Sequence, residues 1–138
     1  MKAKVTWING RAFLGESGSG HAVVMDGAPD AGGRNIGVRP MEMLLLGLGG
    51  CTAFDVVMIL EKAREKITGC EVELEAERAA EDPKVFTAVR LIYTFKGHDL
   101  KPAMVERAVK LSADKYCSAS KMFELSAKLE HEWKIIAA

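Results

Sequence analysis

Between Glu42 and Asp55 the chain runs through twelve uncharged, mostly apolar residues, Met43-Leu-Leu-Leu-Gly-Leu-Gly-Gly-Cys51-Thr-Ala-Phe54. No other stretch limits the fold so strongly. As helix it covers about 18 Å, well short of the ~30 Å of a bilayer core, so it reads as an internal helix and not a membrane span. Pro40 suits its first turn, where a missing N–H costs nothing. The helix is expected to run to about Lys66, with Gly69 past its end. Its first four turns are apolar nearly all round, which calls for burial on every side. One small sheet cannot provide that, whereas a second subunit can, and an obligate dimer with this helix near its centre is expected. Gly47, Gly49 and Gly50 each weaken a helix by about 1 kcal/mol, and they fit a place where backbones approach closely.

The flanking sequence is strand-like. Lys2 to Trp7 alternates, Asn9-Gly10 signals a tight hairpin, and Arg11 to Glu16 is the expected return strand. A turn at Ser17–Gly20 leads to a third strand from His21 to Asp26, and Gly27 to Arg39 is a loop. Glu71 to Ala80 alternates with Glu71, Glu73, Glu75 and Glu77 outward. This acidic row reads as a solvated strand face opposite Arg90 or Lys96. Val85 to Lys96 returns as a long strand, and Gly97-His-Asp99 turns the chain. Pro102 opens a second helix reaching Tyr116-Cys117, with Val105, Ala108, Val109 and Ser112 on one stripe. Ser118 or Ser120 is expected to cap a short third helix. Lys128 to Ile136 closes as a strand. The order is βββ-α-ββ-α-α-β in a single domain over residues 1–138, an α+β fold with mostly antiparallel sheet.

Composition removes several functions. With 19 basic and 19 acidic residues and no basic run longer than two, the electrostatic footprint of a nucleic-acid binder is missing. Met1-Lys-Ala-Lys-Val-Thr-Trp7 has no apolar signal region. Three cysteines, an odd number, point to a reducing cytoplasm instead of a disulfide framework. His21, His98 and His131 have no metal-ligand spacing with one another or with a cysteine, and no cofactor is expected.

Candidate chemistry narrows to Cys51 and Cys117, 66 residues apart, which can cooperate only if the fold joins them. Cys51 lies about 16 Å along its helix, beyond the reach of the helix dipole. Asp55 follows at i+4, where a carboxylate disfavours the thiolate. An active Cys51 therefore requires a cation from elsewhere, such as Arg11 or Arg39. Cys117 sits beside Lys115 and before a helix start, both of which favour a thiolate, and Tyr116 could add a hydrogen bond. Cys70 reads as structural or exposed.

The phrase Arg39-Pro-Met-Glu-Met-Leu-Leu-Leu-Gly-Leu-Gly-Gly-Cys51-Thr-Ala, followed by Ser112-Ala-Asp-Lys-Tyr-Cys117-Ser, resembles the OsmC/Ohr family and, within it, the YhfA-like branch. The resemblance covers essentially the whole chain. It implies an intertwined α+β homodimer with two central helices enclosed by sheets. It also implies a cysteine pair acting on organic hydroperoxides, with Cys51 peroxidatic, Cys117 resolving, and a dithiol as reductant. Arg11 resembles the family's activating arginine. The peroxidase branches carry a glutamate directly after the proline. Here that place is Met41, and Glu42 is turned from it by about 100°, either a partner for the arginine or a cap on the helix. Two readings stay open: a thiol peroxidase, and a non-catalytic or redox-sensing dimer that binds a small apolar ligand in the interfacial cleft.

Overall fold

The computed structural model describes residues 1–138, which form two compact units, Met1–Leu46 and Gly47–Ala138. The elements follow the expected order: β1 (Ala3–Asn9), β2 (Ala12–Ser17), β3 (Ala22–Met25), α1 (Pro40–Lys62), β4 (Lys66–Arg78), β5 (Phe86–His98), α2 (Pro102–Leu111), α3 (Ser118–Phe123) and β6 (Lys128–Ala137). There are two three-stranded sheets, β1-β2-β3 and β4-β5-β6.

In the first unit, β1, β2 and β3 form an antiparallel meander. Asn9 pairs with Ala12, so the hairpin loop is Gly10-Arg11, one residue later than Asn9-Gly10. Gly10 has φ +52°, the positive value that a tight hairpin needs and glycine tolerates. Arg11 therefore belongs to the turn and not to the return strand. The loop after β3 is organised by Asp26, a buried carboxylate. It accepts the backbone N–H groups of Gly27 (2.7 Å), Arg34 (3.1 Å) and Ile36 (3.5 Å). Burial alone would raise its pKa, but those donors and the Arg34 charge hold it below the ordinary value.

The entry to α1 is a capping box without the usual serine: Glu42, third in the helix, accepts the Arg39 backbone N–H at 2.8 Å. The helix ends at Lys62, earlier than expected, because Arg64 leaves it in the left-handed region at φ +60°. The chain is thus free to begin β4 at Lys66, five residues before Glu71.

In the second unit, β5 is the central strand, with Val89, Leu91, Tyr93 and Phe95 fully buried. β4 pairs with it antiparallel, but β6 pairs with it parallel, from Ala88↔Lys128 to Gly97↔Ala137. A parallel neighbour needs a long crossover, and α2 and α3 supply it. The acidic row of β4 is solvent-exposed as expected, with Arg90 bonded to Glu75 at 3.4 Å and to Glu132. The inner side of α1 buries Leu48, Gly49, Thr52, Asp55, Val56 and Leu60. A Cβ on Gly49 would stand 2.8 Å from Leu74 Cδ1. The opposite side is open: nothing lies within 4 Å of a Cβ at Gly47 or Gly50, and Phe54 is 73% exposed. By length and hydropathy α1 passes for a membrane span, yet its inner side is protein core that contains a carboxylate.

Candidate functional site

Cys117 owes its position to an irregularity. After Leu111 the helical register widens into a π turn, Ser112–Tyr116, closed by the Cys117 N–H donating to the Ser112 carbonyl at 2.9 Å. Such widened turns recur at functional sites. Cys117 then turns extended and becomes the N-cap of α3 itself, its sulfur accepting the Ser120 backbone N–H at 3.3 Å. Neither Ser118 nor Ser120 serves as the cap. The Ser120 hydroxyl is fully buried without a well-formed hydrogen bond, and it faces the sulfur closely enough to favour its charged form.

The fold brings Cys51 and Cys117 together. The Cys51 thiol lies near enough to act on the charge of Cys117, Cys51 partly exposed and Cys117 buried. The expectation of a thiolate-prone Cys117 does not hold. Burial pushes its thiol up, the Ser120 hydroxyl and N–H offset this only in part, and the nearby Cys51 pushes it further up. Lys115 is drawn elsewhere: its ammonium sits 5.3 Å above the Tyr116 ring, and Tyr116 is exposed. Cys117 thus holds its proton more tightly than an ordinary thiol.

Behind the cysteines lies a buried chain of hydroxyls. Ser112 Oγ donates to Asp55 Oδ2 at 3.0 Å. Having one proton, it must accept from Thr52 Oγ1 at 2.8 Å, and Thr52 in turn must accept from the Tyr93 hydroxyl at 2.8 Å. All four side chains are buried. The Tyr93 pKa is raised to about 12. Burial is the main cause, the Thr52 hydrogen bond opposes it, and the charges of Cys117, Cys70 and Asp55 add to it. Asp55, in sequence terms only an opposing charge, has a structural partner in Ser112. Sequence reasoning misses Thr52, Tyr93 and Ser112 as site residues. The available signal is a hydroxyl or carboxyl on the buried face of an otherwise apolar helix.

Cys70 lies on β4 opposite Phe95, and burial raises its pKa. His131 stacks on Tyr93 at 6.2 Å between centroids. Its Nε2 is buried without a partner, and burial lowers its pKa against the pull of Asp114 and Glu124. Arg11 and Glu42 belong to the first unit. Arg11 Nη1 donates only to the Gly10 carbonyl, at 3.4 Å, and Glu42 is occupied by the helix cap.

A paired, unequal set of cysteines on a βββ-α-ββ-α-α-β chain is a narrow description, and comparison with known proteins meets it. The family model described as OsmC-like protein matches residues 32–132. The chain belongs to the OsmC-like family. Protein YhfA of Escherichia coli K12 is 47% identical over 138 residues, covering all of both chains. Among solved OsmC-like folds, a hypothetical protein from Aquifex aeolicus VF5 superposes with a TM-score of 0.87 at 28% identity, covering 99% of this chain and 96% of that one. An organic hydroperoxide resistance protein OsmC from Legionella pneumophila gives a TM-score of 0.73 at 16% identity, covering 96% and 95%. The last is a likeness of fold alone. Within the OsmC-like fold, the parallel β5–β6 pair and the π turn before Cys117 are the features that deliver the second cysteine to the first.

Proposed function

We propose that this OsmC-like chain acts as one domain, in a cytoplasmic homodimer, as a thiol-dependent peroxidase that reduces organic hydroperoxides. The supporting observation is the inequality of the cysteine pair: a partly exposed Cys51 near a buried Cys117 whose thiol is pushed up by burial. The Cys51 thiolate attacks the distal oxygen of ROOH, the O–O bond breaks, and ROH leaves with one proton. Cys51 is then a sulfenic acid. The Cys117 sulfur attacks it, the S–S bond forms, and hydroxide leaves as water with the Cys117 proton. A dithiol reductant returns two electrons and two protons by exchange. Arg11 is proposed as the cation that activates Cys51, and Glu42 as the residue that fixes the start of α1. Dimerisation would cover the open side of α1 at Gly47, Gly50 and Phe54 with an interface above ~2,000 Å². The name of the Legionella neighbour accords with this reading.

One equivalent of cumene hydroperoxide followed by peptide mapping tests it. A Cys51–Cys117 disulfide within one chain is expected, with Cys70 a free thiol and one cumyl alcohol released per disulfide. A disulfide through Cys70, or none, favours the second reading, a non-catalytic or redox-sensing dimer that binds a small apolar ligand. The observation behind that alternative is Asp55, a buried carboxylate one turn from Cys51 on α1.

A further inference from the structure

The hydroxyl chain has a placement that its chemistry alone does not require. Thr52 is the immediate neighbour of Cys51 on α1, and Asp55 is one turn further along. Ser112 opens the π turn that ends at Cys117. Two side-chain hydrogen bonds join α1 to that turn, Thr52 Oγ1 to Ser112 Oγ at 2.8 Å and Ser112 Oγ to Asp55 Oδ2 at 3.0 Å. Ser112 makes both. Its carbonyl meanwhile holds the Cys117 N–H at 2.9 Å. One buried residue thus grips the Cys51 helix with its side chain and the Cys117 backbone with its main chain.

We infer that Ser112, with Thr52 and Asp55, forms a buried clasp that fixes the spacing of the Cys51 and Cys117 segments and thereby sets how readily their disulfide closes. The clasp rests on the proposed Cys51–Cys117 disulfide. Ser112 is a positioning residue, since neither sulfur is among its partners. A disulfide tolerates only a narrow range of Cα separation, about 4.4–6.8 Å, so the effective concentration of one thiol at the other depends on how firmly the two segments are held. A hydroxyl pulled from this network would be left buried and unpaired, which disfavours any arrangement in which α1 and the turn drift apart. Tyr93 ties Thr52 to the central strand at 2.8 Å but does not bridge the two cysteine segments.

The test is a redox titration of the folded, full-length protein in glutathione buffers, with the Cys51–Cys117 disulfide counted by alkylation and mass. Ser112→Ala is expected to lower the equilibrium constant for disulfide formation about tenfold, a potential less negative by about 30 mV. Thr52→Val, which keeps the shape and drops the hydroxyl, is expected to lower it severalfold. Asp55→Asn, which keeps an acceptor for Ser112, and Tyr93→Phe are expected to stay within about threefold of wild type. Cys51 alkylation should be equal in Ser112→Ala and wild type, which separates spacing from thiol reactivity. If Ser112→Ala does not fold, Thr52→Val decides. Potentials for Ser112→Ala and Thr52→Val within about twofold of wild type in equilibrium constant overturn the clasp and leave the peroxidase reading standing. A wild-type protein that forms no Cys51–Cys117 disulfide in any buffer overturns both.

Discussion

Replacing Gly47 and Gly50 together by alanine gives opposite results according to what covers α1. Within one chain a Cβ at either position meets no heavy atom within 4 Å, so no steric cost opposes the gain in helix propensity. That gain is about 1 kcal/mol per residue, or about 2 kcal/mol for the pair if the sites act independently. An uncovered helix would therefore become more stable by that amount. A second chain packed on the same side reverses the sign, because each added methyl enters a close helix contact where overpacking typically costs about 1–3 kcal/mol. The dimer proposal predicts the second outcome: lower stability and a shift of the sedimentation profile toward monomer. Urea unfolding at two widely separated protein concentrations, beside sedimentation velocity, measures both, since the stability of a dimer depends on concentration. A double variant stabilised by about 2 kcal/mol, with unchanged sedimentation and no concentration dependence, would show that solvent covers this side of the helix and refute the reasoning.

Asp55→Asn is expected to speed alkylation of Cys51 near neutral pH, and Arg11→Ala to slow it about tenfold; an unchanged rate in Arg11→Ala would turn the search for the cation to Arg39. In a Tyr116→Phe background, the phenolate absorbance of Tyr93 should appear near pH 12, its raised value, and not near ~10. Because the folded state holds this proton more tightly than the unfolded one, the associated stability is complete below pH ~10. It is lost as pH rises toward 12, about 2–3 kcal/mol in all, and pH-dependent unfolding of Tyr93→Phe should lack that loss. Asp26, held below its ordinary value, contributes above pH ~3.9 and loses that contribution as pH falls; Asp26→Asn should make residues 27–38 cleave faster under limited proteolysis.

The elements with a strong local rule were legible in the sequence. The alternation of Glu71, Val72, Glu73 and Leu74 announced a strand with one wet face, and Arg90 does pair with that face. Pro40 marked the start of α1, and the long apolar run marked a helix. Boundaries failed where a rare backbone conformation decided them: the exit of α1 uses Arg64 at φ +60°, a role the sequence offered to Gly69. The parallel seat of β6 was hidden because strand alternation says which face is buried and nothing about direction. Proximity of Cys51 and Cys117 came through family resemblance and not through spacing. Thr52, Ser112 and Tyr93 each look ordinary alone, and only the packing of α1 on β5 and the π turn joins them. Local rules misjudged Cys117, since Lys115 and a helix start count for less than removal from water.

The π turn carries one further consequence. A widened turn holds one residue more than the α-helical turn it replaces, so deleting a single residue from Ser112–Tyr116 would draw the turn in to regular register and shorten the link between α2 and α3 by one residue. The core positions Val105, Ala108 and Val109 precede that point and would keep their places, while the Ser112 carbonyl would lose the Cys117 N–H as its partner. A one-codon deletion here would thus act first on the seat of Cys117 and leave the α2 core stripe as it is.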